Sequence, residues 1–278
     1  VALLLTLTAG SPFVSAQQRE RIEFWFHQPE PDAVATMDAL VAKFHAEFPQ
    51  YEVDVIQTGG MAKREMWDRL LATLAGGLSP DLVYTDPQLI SEWGITINGF
   101  IPVESIVPVD RIQADDIIPS AKDVLFVRGK WWGLPFRTDS RGLFYNIDHY
   151  EAAGLDATRG PRNIAELDLY AQRLTKTDPS SGAITQLGFY PWRGNDASGL
   201  MYFWVFGGDF FDWEAMRPTV TRFPQNLEAM RWIQSYGERF GYQRPVAAAF
   251  INGVGQSMVV QSTTALASYP TQNPDLNF

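Results

Sequence analysis

The 278-residue chain contains no cysteine. That absence excludes disulfides, thiolate nucleophiles and thiolate metal sites, and it leaves no acceptor for the lipid of a surface-anchored lipoprotein. Histidine is nearly as scarce. His27, His45 and His149 lie far apart and nowhere in HExxH spacing, so a zinc site has little support. No Gly-rich run precedes Lys-Ser or Lys-Thr, which removes a phosphate loop, and no cofactor is expected. Positive charge is in deficit: 22 Lys and Arg stand against 32 Asp and Glu, a formal net charge of -10. Such a surface repels phosphate backbones and anionic lipid headgroups, so neither nucleic acid nor a membrane surface is an expected partner. Internal repeats and low-complexity tracts are also missing. Neutral or cationic small ligands stay open.

What is present is a chain able to fold. Hydrophobic residues make up 46% and charged residues 19%, enough for one large core or two smaller ones. Aromatic residues reach 13%, with nine Trp. Core packing accounts for such an abundance, and so does a carbohydrate site.

The N-terminus suggests a compartment. Val1 to Gly10 (VALLLTLTAG) is an uncharged apolar run, shorter than the ~20 residues that span a bilayer. Ser11-Pro12 break it, and Val14-Ser15-Ala16 put small residues before polar Gln17-Gln18, as signal peptidase requires. Residues 1–16 are therefore read as a partial signal peptide cut after Ala16, lacking only a basic n-region. With no lipid-acceptor cysteine, a freely diffusing periplasmic monomer is expected.

Period-2 and period-3.6 patterns then alternate. Arg21 to Phe26 reads as a half-buried strand, and Asp32 as the cap of a helix carrying Val34, Met37, Leu40, Val41, Phe44 and Phe48 up to Pro49. Tyr51 to Gln57 reads as a second strand. Gly59-Gly60 turns into a helix with Met66, Leu70, Leu71 and Leu74 on its apolar side, ending at Gly76-Gly77. Asp81 to Thr85 is a short buried strand. This β-α-β-α-β order predicts a parallel sheet, whose ligands sit beyond the carboxyl ends of the strands. Those ends are Trp25 to Gln28, Thr58 to Gly60 and Thr85-Asp86. Farther on, the pattern predicts a hairpin around Arg128-Gly129-Lys130, strands at 142–146 and 188–190, and helices near 148–153, 163–175, 197–206 and 225–240, a second α/β block.

Gly129 to Ser140 (GKWWGLPFRTDS), Leu143-Phe144-Tyr145-Asn146 and Glu151 to Asp156 (EAAGLD) resemble extracellular sugar-binding proteins of ABC importers. The likeness extends back to Ala72 to Asp81 (ATLAGGLSPD) and forward to Gly188-Phe189-Tyr190, Gly207-Gly208-Asp209 and Phe250-Ile251-Asn252-Gly253. It implies a two-lobed α/β periplasmic binding protein fold with a sugar in the cleft. It places lobe one at 17–135, lobe two at 136–249 and a return to lobe one at 250–278. Members of the family usually continue past the position of Phe278, so part of the second lobe is expected to be missing. The implied function is capture of a mono- or oligosaccharide by hinge closure and delivery to an ABC membrane permease, with no covalent step.

A sugar needs bidentate polar groups around its edge and flat aromatic surfaces against its faces. Asp86 is the leading hydroxyl acceptor by resemblance, although Asp before Pro87 is equally suited to capping a helix. Arg137 and Asp139 either contact ligand or pair with each other at the hinge. Trp25, His27 and Gln28 end the first strand, with Trp25 also suited to the core. Gly59 and Gly60 either present N–H groups or simply turn the chain. In the second block Tyr190 and Trp192 are the stacking candidates, Trp192 ahead of Trp204, whose apolar run favours burial. Gly208 and Asp209 stand where the family approaches its ligand, and Ser262 completes the set.

Two other readings compete. A glycan-cleaving enzyme would use paired carboxylates such as Asp209 and Asp212 or Asp115 and Asp116, none in a catalytic motif. A receptor for glycerol-phosphate or another polyol derivative would want a clustered basic pocket, which the sequence does not display.

Overall fold

The computed structural model describes residues 19–28, 31–59, 61, 63–108, 114–191, 197–212, 215, 217–241 and 247–278. The signal-peptide reading of 1–16 lies outside these residues. The chain divides into two compact units, Val1–Thr138 and Asp139–Phe278.

The first unit opens with β1 (Glu20–Phe26), α1 (Pro31–Glu47), β2 (Tyr51–Gln57), α2 (Lys63–Gly76), β3 (Leu82–Tyr84) and α3 (Pro87–Thr96). β1 pairs in parallel with β2 on one side and β3 on the other, giving the order β2-β1-β3. This is the expected parallel sheet. The helix expected to be capped by Asp32 begins one residue earlier, at Pro31. Proline's fixed φ and missing N–H suit the first helical position, and Asp32 falls in the first turn, where the helix dipole favours a carboxylate. α2 ends where Gly77 takes φ +68°, a left-handed stop that costs glycine nothing. Trp25, Met66 and Leu70 form the buried centre, with Ile56, Leu74 and Val83 packed against them. The unit closes with α4 (Pro119–Leu125) and the hairpin β4 (Phe126–Val127) and β5 (Lys130–Trp131). Its two turn residues, Arg128 (φ 53°) and Gly129 (φ 74°), are both left-handed, which matches the strands' twist.

The second unit holds β6 (Arg141–Tyr145), α5 (Ile147–Ala152), α6 (Ile164–Leu174), β7 (Lys176–Thr177), β8 (Ile184–Gln186), α7 (Met201–Val205), β9 (Phe211–Asp212), β10 (Arg217–Pro218), α8 (Pro224–Phe240), α9 (Ala247–Ile251), β11 (Met258–Ser262) and α10 (Ala265–Gln272). Its core is aromatic: Tyr150, Phe189, Tyr202 and Tyr236 are all buried around α6 and α8. Tyr236 donates to Asp168 at 2.7 Å and Tyr150 to the Met258 sulfur at 3.0 Å. Burial pushes both phenols up, so they remain neutral donors.

Two expectations are corrected here. The strand expected at 188–190 ends instead at Gln186, with Leu187 making one bridge to Gln256. At Gly188 the α6 backbone comes so close that an added Cβ would lie 2.0 Å from the Ala171 carbonyl oxygen. The helix expected over 197–206 is a 3-10 turn (Ala197–Leu200) followed by α7. The division between units falls after Thr138, and residues 250–278 pack within the second unit. β11 pairs antiparallel with β6, Ile147 N–H donates to the Asn277 carbonyl at 2.9 Å, and Phe250, Val259, Tyr269 and Leu276 pack with Phe144.

Candidate functional site

In the first unit the chain passes from β1 to β2 on one side and then places β3 on the other, so the strand order reverses between β1 and β3. That reversal opens a crevice at the carboxyl ends of the strands. Phe26 is the register partner of both Gln57 and Tyr84, so the residues that follow, His27, Thr58 and Thr85, emerge side by side. The His27 ring Nδ1 lies 2.9 Å from the Thr58 carbonyl and 3.3 Å from its hydroxyl, which orients the imidazole. Gln28 is half-buried beyond it. Gly59 sits in a turn closed by Met61 N–H on the Thr58 carbonyl; Gly60 lies outside the described residues. Asp86 occupies the cap position of α3, yet its side chain makes no capping bond. Its carboxylate is turned to Lys63 on the first turn of α2, with Nζ 2.9 Å from Oδ2 and donating to Oδ1 at 3.2 Å.

Trp25 does not join this group. It is 4% exposed, its indole N–H donates to Glu23 at 2.8 Å, and the Arg69 guanidinium covers its ring. Lys63 and Trp67 escaped the sequence reading. The sequence reading stopped at Met66 and Leu70, and Lys63 and Trp67 interleave with them at i, i+3 and i+4 spacing on the same side of α2, directly after the Gly-Gly turn.

A groove of about 640 Å³ also runs along the outer side of β3. Leu74, Leu82, Ile101, Val107, Leu134 and Phe136 are among its walls. Its one carboxylate, Asp81, accepts the Glu23 N–H at 2.8 Å. Phe24, Tyr84, Phe100 and Trp132 add aromatic surface to the groove, with Ser79 and Asn98 among its polar groups.

The second unit redistributes the remaining candidates. Asp139 pairs with Arg141 at 3.5 Å and accepts the Ser262 hydroxyl at 2.6 Å, so the partner expected for it, Arg137, is not the one it takes. Arg137 is exposed. Tyr190 is only 7% exposed and stands edge-on to Tyr236, which makes it a core residue and not a stacking surface. Gly208 serves packing: an added Cβ would lie 2.1 Å from Asn226 Oδ1. Trp192 lies outside the described residues. Trp204, expected to be buried, is 55% exposed, because α7 is too short to turn that side of its apolar run inward. Asp209 holds the ring in place, accepting the indole N–H at 3.0 Å and the Phe210 N–H at 2.7 Å, while Phe210 packs 4.9 Å beneath it. Those two bonds keep the Asp209 carboxyl below the usual carboxylate range. Asp209 therefore positions an aromatic plane.

Residues 28–275 match the bacterial extracellular solute-binding protein family. The chain belongs to this family. The mannitol-binding protein of Pseudomonas aeruginosa is 31% identical over 120 residues, covering 43% of this chain and 27% of its own length. The sn-glycerol-3-phosphate-binding periplasmic protein UgpB of Escherichia coli (strain K12) is 24% identical over 178 residues, 60% of this chain and 38% of that one. The structure of CpMnBP1 with mannotriose bound superposes with a TM-score of 0.71 at 26% identity, covering 93% of this chain and 67% of that one. The solute-binding chain thus spans well under half the length of the curated relatives it matches, and its fold is that of two-lobed periplasmic binding proteins.

Proposed function

We propose that this solute-binding protein captures a sugar or sugar-like polyol outside the cytoplasm and delivers it to an ABC import permease. The observation that carries this reading is that His27, oriented by the buried Thr58, and the Lys63–Asp86 pair follow the strand ends at the strand-order reversal between β1 and β3. Those groups supply donors and acceptors at close quarters, which a polyhydroxylated ligand requires. In the second unit Trp204, held by Asp209 and Phe210, is an exposed aromatic plane of the kind that stacks on a ring face. A ligand held by groups of both lobes binds the closed state better and shifts the population toward it, with no bond made or broken.

Supporting the neutral ligand is the mannotriose complex of CpMnBP1 together with the mannitol-binding relative. UgpB supports the alternative, a glycerol-phosphate ligand. Titration calorimetry of the protein with mannobiose, maltose, mannitol and sn-glycerol 3-phosphate separates them. Saturable binding of a neutral compound without its turnover is expected. Release of monosaccharide from an oligosaccharide, or binding of the phosphate ester alone, would overturn the reading.

A further inference from the structure

Lys63 and Asp86 are an unusual pair to find at a ligand crevice, because they come from different elements and neither is used up by the fold. Asp86 leaves the α3 cap unmade, and Lys63 stands in the first turn of α2, with side-chain exposures of 56% for Lys63 and 26% for Asp86. An ammonium has three donors and a carboxylate about four acceptor positions, so a single contact leaves most of both unspent. Two further polar atoms belong to the same elements. Trp67 Nε1, one turn beyond Lys63 with Nζ 5.9 Å from the ring centroid, and Thr85 Oγ1, next to Asp86, are buried without a hydrogen-bond partner among the described residues. Unpaired buried polar atoms are costly, so two of them on the elements that carry the pair are open to partners from a ligand.

We propose that Lys63 and Asp86 form a charge-balanced clamp on two neighbouring hydroxyls, selecting a neutral polyol or sugar over a phosphorylated one. This rests on the solute-receptor reading above. One hydroxyl donates to the Asp86 carboxylate and its neighbour accepts from the Lys63 ammonium, while the pair as a whole stays neutral. A phosphate finds Lys63 already compensated and meets Asp86 as a like charge. Selectivity against the anion thus comes from the carboxylate, and Lys63 without it would be an anion site.

The test uses calorimetry with mannobiose, mannitol and sn-glycerol 3-phosphate on the native protein and on Lys63→Met and Asp86→Asn. Melting curves confirm that each variant keeps the native fold before its binding is read. The native protein binds a neutral probe more tightly than the phosphate ester. Lys63→Met and Asp86→Asn each weaken the neutral probe by about tenfold or more, the loss of one charged hydrogen bond. Asp86→Asn alone gains affinity for sn-glycerol 3-phosphate, and that gain weakens with added salt. Neutral-probe affinity unchanged in Lys63→Met, or no gain for the phosphate ester in Asp86→Asn, overturns the clamp while leaving the receptor reading in place. A native protein that binds none of the three probes overturns both.

Discussion

At the scale of single residues, side chains were sorted by partners that lie far away in sequence. His149 is an example with a measurable consequence. Its Nδ1 lies 3.0 Å from the hydroxyl of Ser257, itself fully buried, and α5 and the β11 approach are thereby joined. Burial lowers the imidazole below its usual 6.5, aided by Lys176 and opposed by a Gly253 backbone bond and by Asp148. The unfolded chain then takes up a proton at higher pH than the folded one. Stability from this group is complete above pH 6.5 and drains away as pH falls through 6.5 toward the lower folded value. Thermal melts between about pH 7.5 and about pH 5.5 should show a falling midpoint that flattens in His149→Gln. Equal slopes in the two proteins would assign the acid sensitivity to other groups. Tyr190 and Trp204 teach a related lesson. Both sit in aromatic-rich stretches, and only the packing of α8 under one and the shortness of α7 beneath the other decided which is buried.

Elements were more legible than side chains where local rules act alone. β1 and β2 appeared within a residue of where alternation put them, and Gly77 and the Arg128-Gly129 turn behaved as their backbone freedom requires. α6 shows how an element is held at its start. Asn163 Oδ1 accepts the Glu166 N–H at 2.9 Å, and Glu166 in turn receives Arg159 at 2.7 Å and the Arg162 N–H at 2.6 Å. The Arg159 guanidinium first, and the backbone bond second, hold the Glu166 carboxyl down to about 2. Because α6 carries Leu167, Tyr170, Ala171 and Leu174 into the core, loosening its cap reaches the whole second unit. Asn163→Ala should cost about 1 kcal/mol in urea denaturation, and Asn163→Asp should restore most of it. No loss in the alanine variant would mean that Glu166 and its arginine secure the turn unaided. The strand expected at 188–190 failed for a reason invisible locally, since the α6 backbone occupies the side of Gly188 where a ladder residue would carry its Cβ.

For the molecule as a whole, the family and the two-lobed fold follow from the match over 28–275 and the structural likeness, and the transport role is proposed on top of them. Closure is the movement that role demands. X-ray scattering should report a smaller radius of gyration once a neutral ligand identified by calorimetry is added, and an unchanged radius at saturating ligand would count against closure. The sequence by itself determined the exclusions and the first unit's elements: no thiol chemistry, no phosphate loop, and a β-α-β-α-β order whose strand ends point at a ligand. These depend on composition and on periodicities of two and 3.6, which are local properties of a chain. Tertiary structure alone decided that Asp86 meets Lys63 across 23 positions and Asp139 meets Ser262 across 123, and that 250–278 packs on β6. Those pairings are choices among many chemically equivalent partners, and only the packing of the core brings one of them within hydrogen-bond reach.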